Sequence, residues 1–354
     1  MTLPSETTLD PREYARRRIA SCRPALGWDT SHGASDPVAW QTELRAAFVR
    51  ALGDLEAWER PDLNPRIEET VVLDGYRRER VQFTTRPGLD AVGYLLVPDG
   101  LTAPSPAVVC LPGHGRGMSG VAGIAADGTQ RPLGAPDEYE QDFALACVRR
   151  GWVAFVLEQI SFGNRRDPET TAKGASASSC HPDSMAALML GECMPGWRTW
   201  DATRAVDYLL ARPDLVDPAR VVTMGISGGG LTSLFTAAVD TRVAVCVVSG
   251  YFCTFADSVL SIHHCVDNYV PGLLCLCEMP DLAGLVAPRP LFAESGDKDP
   301  IFPLHGFRAA VSRAEEIYAA FGHPDRFGHE VFEGGHRFHG EDAFTFVERL
   351  FMAR

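Results

Sequence analysis

A chain of 354 residues with 45% hydrophobic and 22% charged residues carries enough apolar material for a large buried core. Its 33 basic and 46 acidic residues leave a formal charge of −13. Such a surface repels phosphate backbones and anionic lipid, so neither a nucleic-acid nor a membrane partner is expected.

The opening stretch "MTLPSETTLDPREYARRRIA" has no apolar h-region, and no later stretch approaches a membrane span; a cytoplasmic protein is expected. "DPVAWQTELRAAFVRALG" then places Trp40, Leu44, Phe48 and Leu52 on one helical face, with Gly53 as a stop. Residues 1–65 therefore read as a helical cap on a catalytic body spanning 66–354. That body begins with three strands turning at Asp74-Gly75 and Pro87-Gly88, an antiparallel lead-in. From "PAVVCLPGHGRG" onward, short apolar strands alternate with amphipathic helices: "EYEQDFALACVRRG", "WVAFVLE", "WDATRAVDYLLARPD", "ARVVTMG", "LTSLFTAAVD", "RVAVCVVSG" and "PRPLFAESG". This rhythm predicts an α/β fold with a mostly parallel central sheet covered by helices on both faces. Two irregular stretches, at about 161–195 and 251–285, read as lid insertions or edge decoration.

The chemistry centres on "VVTMGISGGGLTSLF". Ser227 follows a buried strand and precedes an amphipathic helix, with small neighbours Gly225, Gly228 and Gly229, as a nucleophile elbow requires. A serine hydroxyl needs an imidazole to remove its proton. His336 in "FEGGHRFHG" ends the last predicted strand and is the candidate base; His339 lies further from the strand end. "LFAESGDKDPIFP" ends another strand and offers Asp299, with Asp297 as the alternative, to orient that imidazole. The oxyanion would be met by the amide of Gly228 and by a second donor from "PGHGRG".

These motifs carry a family resemblance. "LPGHGRG", "WDATRAVDYLLARPDLVDPARV", "GISGGG", "HHCVDNYVPG", "MPDLAGLVAPRPL", "GDKDPIFP" and "EGGHRFHG" resemble bacterial α/β-hydrolases of the dienelactone-hydrolase and acetyl-xylan-esterase type, from about Trp40 to the C-terminus. The resemblance is to a branch with an N-terminal helical cap. It implies an α/β-hydrolase fold with Ser227 as nucleophile, His336 as base and Asp299 as acid. It places the second oxyanion donor at His114, with Gly115 or Arg116 as alternatives because Pro112 replaces the usual first histidine of the loop. The sequence departs from dienelactone hydrolases in having serine rather than cysteine. It departs from the sugar deacetylases in carrying Gly228 where they have Gln, and "SFGNRR" where they have an Arg-Gly-Gln element.

Arg116, Glu158, Arg165 and His264 are candidate substrate contacts. Glu158 ends a buried strand on the catalytic edge, and Arg165 or Arg166 could either pair with it or grip a carboxylate. His263 and His264 lie in the second insertion, and Trp197 and Trp200 read as core or lid anchors. Ten cysteines, mostly in apolar contexts, read as buried free thiols. The spacing of Cys180-His181, His263-His264-Cys265 and Cys275-x-Cys277 matches no familiar zinc pattern, so neither metal nor cofactor is expected. The reading is a serine esterase acting on a small-molecule ester through an acyl-serine intermediate. The alternatives are a small-peptide hydrolase of the prolyl-oligopeptidase type and a non-catalytic hydrolase-fold binding protein. A homo-oligomer is compatible with this sequence.

Overall fold

In a computed structural model that describes residues 7–29, 31, 33–132 and 139–352, nine strands form one sheet among the described residues. The lead-in strands β1 (Arg66–Leu73), β2 (Tyr76–Arg86) and β3 (Leu89–Pro98) are antiparallel. Six parallel strands follow: β4 (Ser105–Leu111), β5 (Val153–Leu157), β6 (Val216–Ile226), β7 (Val245–Ser249), β8 (Leu291–Gly296) and β9 (Phe327–Phe332). Their spatial order is β1-β2-β3-β5-β4-β6-β7-β8-β9, with β3 joining β5 antiparallel. The order therefore reverses between β4 and β6, and the crevice beyond their carboxyl ends is where such sheets bind ligands.

The helices are α1 (Pro11–Ala20), α2 (Pro37–Ala51), α3 (Met118–Val121), α4 (Phe143–Arg149), α5 (Pro168–Ala172) and α6 (Cys180–Met189). They continue with α7 (Met194–Leu210), α8 (Gly228–Val239), α9 (Leu273–Leu276), α10 (Ala283–Val286), α11 (Leu304–Ala320) and α12 (Glu341–Met352). The start of α2 follows from its residues. The Asp36 carboxylate accepts from the Ala39 amide at 3.1 Å, and Pro37 presets the first helical φ.

Alternation along β4 shows why its sequence is apolar throughout. Ala107, Val109 and Leu111 enter one core with Phe155, Phe235 and Tyr318, while Val108 and Cys110 enter another with Phe143, Phe338 and Val347. Both faces are covered, so neither set of alternate positions tolerates a polar residue. The N-terminal helical segment shares the first of these cores. Trp40, Leu44 and Phe48 are fully buried there, and Phe48 meets Phe235 edge-on at 4.9 Å. The first insertion folds into α5 and α6, the second into α9, α10 and short 3-10 turns. All ten cysteines are free, and seven of them are buried.

Trp40→Ala removes a fully buried ring from this shared core and should cost about 3–5 kcal/mol of stability. The expected readout is a lower urea midpoint with an unchanged transition slope.

Candidate active site

Ser227 holds φ 56° and ψ −124°, a left-handed backbone that strains a residue bearing a Cβ. Two hydrogen bonds fix it. Its amide donates to the Ser249 carbonyl at the end of β7, and its carbonyl accepts from Leu231 in the first turn of α8, both at 3.0 Å. The turn is tight because α8 starts against the end of β4. A Cβ on Gly229 would sit 1.9 Å from the Leu111 carbonyl oxygen, so only glycine fits there. The serine is 9% exposed and lines a cavity of about 330 Å3 with His114, Tyr139, His263, His264 and His336.

His336 and Asp299 meet beside it. Asp299 Oδ2 lies 2.7 Å from His336 Nδ1, while Oδ1 accepts the amides of Ile301 at 2.8 Å and Phe302 at 3.0 Å. Both oxygens are thus committed and the carboxylate cannot swing away. Tyr139 and Phe302 each stack on the imidazole, with centroids 5.9 and 5.7 Å away. The other ring nitrogen, Nε2, is buried and bonds to nothing among the described residues. Asp297 has a different task. Its Oδ1 accepts the Gly334 amide at 2.9 Å, tying the histidine loop to the end of β8.

The loop after β4 presses on the serine from the other side. A Cβ on Gly113 would lie 3.1 Å from Ser227 Cβ. The loop is held by two residues that strand and helix patterns do not single out. The Tyr139 hydroxyl donates to the His114 carbonyl at 2.6 Å, and the buried Gln159 donates its amide to the Pro112 carbonyl while accepting from Thr232 Oγ1. Neither the Gly228 nor the His114 backbone amide donates to an acceptor among the described residues.

Behind His114 lies a buried polar cluster drawn from both insertions and α7. Asp267 is fully buried; its Oδ2 accepts from Arg198 Nη1 at 2.6 Å and lies 3.2 Å from His114 Nε2. Arg198 Nη2 and Nε donate to the Ile160 carbonyl at 2.8 and 3.1 Å. Burial works to raise the Asp267 pKa, but the Arg198 charge and then His114 hold it well below the usual carboxylate range. Burial likewise opposes charge on His114, yet the hydrogen bond to Asp267 prevails and raises its pKa to about 9. Cys180 Sγ lies 3.1 Å from Asp267 Oδ2 and 3.7 Å from His114 Nε2.

With fold and site in place, comparison with known proteins fixes the lineage. A family profile described as "Abhydrolase family" matches residues 11–342. The chain belongs to that family. Its sequence is 29% identical over 299 residues to the "Putative hydrolase YtaP" of Bacillus subtilis, a match covering 80% of this chain and 90% of that protein. Its fold is similar to a crystal structure described as a "putative acetyl xylan esterase" from Bacteroides fragilis, with a TM-score of 0.82 at 18% identity over 99% of this chain and 97% of that one. It is also similar to a glucuronoyl esterase from Solibacter usitatus, with a TM-score of 0.63 at 17% identity over 93% of this chain and 98% of that one. The architecture is that of an α/β-hydrolase, as the motifs implied.

Within this Abhydrolase-family site, three of the four candidate substrate contacts fall elsewhere. Glu158 is fully buried, its Oε1 accepting the Met118 amide at 2.9 Å and its Oε2 the Asn164 amide at 3.0 Å. Its carboxylate binds two loops together instead of facing the cavity. Arg165 is buried against Asp201 and the Glu158 carbonyl. Arg116 donates to the Ile124 carbonyl and does not line the cavity. His264 does line it, beside His263, and meets Phe302 edge-on at 5.9 Å. Burial lowers the His264 pKa. Trp200 is buried, donating to the Thr85 carbonyl, and Trp197 donates to Glu192.

Glu158→Gln sets an NH2 group against one of two buried amides and should cost about 1–3 kcal/mol. Thermal denaturation should shift downward while turnover per folded molecule stays nearly constant, which a direct substrate contact would not allow.

Proposed function

We propose that this protein hydrolyses a small carboxylic ester through an acyl-serine intermediate. The observation that carries the reading is His336, whose Nδ1 is held 2.7 Å from Asp299 while its unpaired Nε2 shares the cavity wall with Ser227. In this mechanism Nε2 takes the Ser227 proton as Oγ attacks the ester carbonyl. Asp299 holds the imidazole in the tautomer that presents a lone pair at Nε2, and then stabilises the imidazolium. The oxyanion meets the Gly228 and His114 amides, each such donor supplying about 3 kcal/mol in the transition state. His336 returns the proton to the leaving alcohol, and water repeats the sequence to free the acid.

The cavity, at about 330 Å3, is near the small end of ligand sites and suits a short acyl group. The names of the two structural neighbours point to esters of carbohydrates, one an acetyl ester and the other a uronoyl ester. A carbohydrate-derived ester is accordingly the substrate class to assay first.

A fluorophosphonate should label wild-type protein at Ser227 and leave Ser227→Ala unlabelled. Asp299→Asn should lower kcat on p-nitrophenyl acetate about 10^4-fold, whereas Asp297→Asn should keep most of it. Folded protein that neither labels nor hydrolyses esters would remove the esterase reading. Faster turnover of aminoacyl anilides than of esters would redirect it to a peptidase.

A further inference from the structure

The cluster behind His114 has no part in the proton transfers above, and its composition is unusual for a hydrogen-bond network. His114, Cys180, Cys265 and Asp267 each turn one donor atom inward, and the four atoms lie within 4.8 Å of one another. They come from three separate segments, the loop after β4, the start of α6 and a 3-10 turn of the second insertion, and neither cysteine belongs to a knuckle motif. Zinc bonds of about 2.0 Å to oxygen or nitrogen and 2.3 Å to sulfur imply tetrahedral edges of about 3.3–3.8 Å. The three edges given above are 3.1 Å (Cys180 to Asp267), 3.2 Å (His114 to Asp267) and 3.7 Å (Cys180 to His114). The last lies inside that range and the first two fall 0.1–0.2 Å short of it, while Cys265 Sγ is within 4.8 Å of the other three atoms, so side-chain shifts of a few tenths of an ångström bring the set to tetrahedral spacing.

Charge fits as well. A divalent ion with two thiolates and a carboxylate leaves one negative charge, and Arg198 supplies the balancing positive one. Its guanidinium touches the two fully buried ligands, Asp267 at 2.6 Å and Cys180 at 3.4 Å. Such an outer partner orients ligands and neutralises them. An entry path exists because His114 and Cys265 also line the cavity that holds Ser227.

We propose that His114 Nε2, Cys180 Sγ, Cys265 Sγ and a carboxylate oxygen of Asp267 form a tetrahedral site for a thiophilic divalent cation, zinc being the natural occupant. The ion joins the loop after β4 to both insertions. It also replaces a proton on Nε2, so the remaining ring proton sits on Nδ1. That atom faces the start of α8, 3.7 Å from where a side chain on Gly228 would begin. The site stands whether or not Ser227 is a nucleophile, because its readouts are spectroscopic and analytical.

The test uses the full chain, purified without chelator, and elemental analysis. About one zinc per chain is expected, and replacement by cobalt(II) should produce a sulfur-to-cobalt charge-transfer band. Cys180→Ser and Cys265→Ser should each remove much of that band. Each should also weaken zinc binding by at least the roughly 10–100-fold that losing an outer-shell partner costs. Ser227→Ala should retain both metal and band. Folded wild-type protein with reduced thiols that takes up neither zinc nor cobalt overturns the proposal. So does a Cys180–Cys265 disulfide in freshly isolated protein, or a cobalt band that survives loss of both cysteines.

Discussion

The site depends on one close approach, the contact of the first turn of α8 with the last carbonyl of β4. Gly229 permits it, and three features follow from that single contact. Ser227 is forced into its left-handed conformation at the end of β6. The start of α8 is brought beside the loop after β4, where a side chain on Gly113 would begin 3.1 Å from the Ser227 Cβ. That loop is then pinned by Tyr139 and Gln159, which are placed by the neighbouring strand and segment. A wider turn would separate the serine from that loop, whatever residues stood at each position.

The insertions are held by a different kind of force. Apolar burial dominates the two faces of the sheet, but around the cavity the insertions meet the body through charge. Burying Arg198 and Asp267 is costly unless each donor and acceptor finds a partner. Here the guanidinium spends its donors on Asp267, Cys180 and the Ile160 carbonyl, while the carboxylate also accepts from the Asn268 side-chain Nδ2 at 2.8 Å. A buried polar network of this kind defines one arrangement of the loops more sharply than apolar contacts would.

Much of this was legible in the sequence because period-two burial and chain order constrain where strands end. Ser227, Asp299 and His336 lie just beyond β6, β8 and β9, and the parallel register brings those ends together. The same rule leaves Glu158, which also follows a strand, open between a substrate contact and a capping or pairing role. Nothing in strand pattern tells that two glycine-bearing loops will fold their amides onto its carboxylate. Asp267 and Arg198 were missed, and Cys180 was weighed only beside its chain neighbour His181, for a related reason. The members of the cluster around His114 lie 66, 84 and 153 residues from it in sequence, and the insertions that carry two of them have no periodicity to follow. The motif favours Asp299 over Asp297, and the structure adds what separates them: Asp299 is held by the Ile301 and Phe302 amides, Asp297 by the Gly334 amide.

The stacking of Tyr139 and Phe302 on His336 has an entropic meaning. An imidazole on a loop ordinarily samples several rotamers, and each reaction cycle would have to collect it into one. Here two aromatic faces and the Asp299 bond have already removed that freedom as the chain folds. The cost of ordering the ring is borne once, by the stability of the whole domain, and does not recur at each encounter with a ligand.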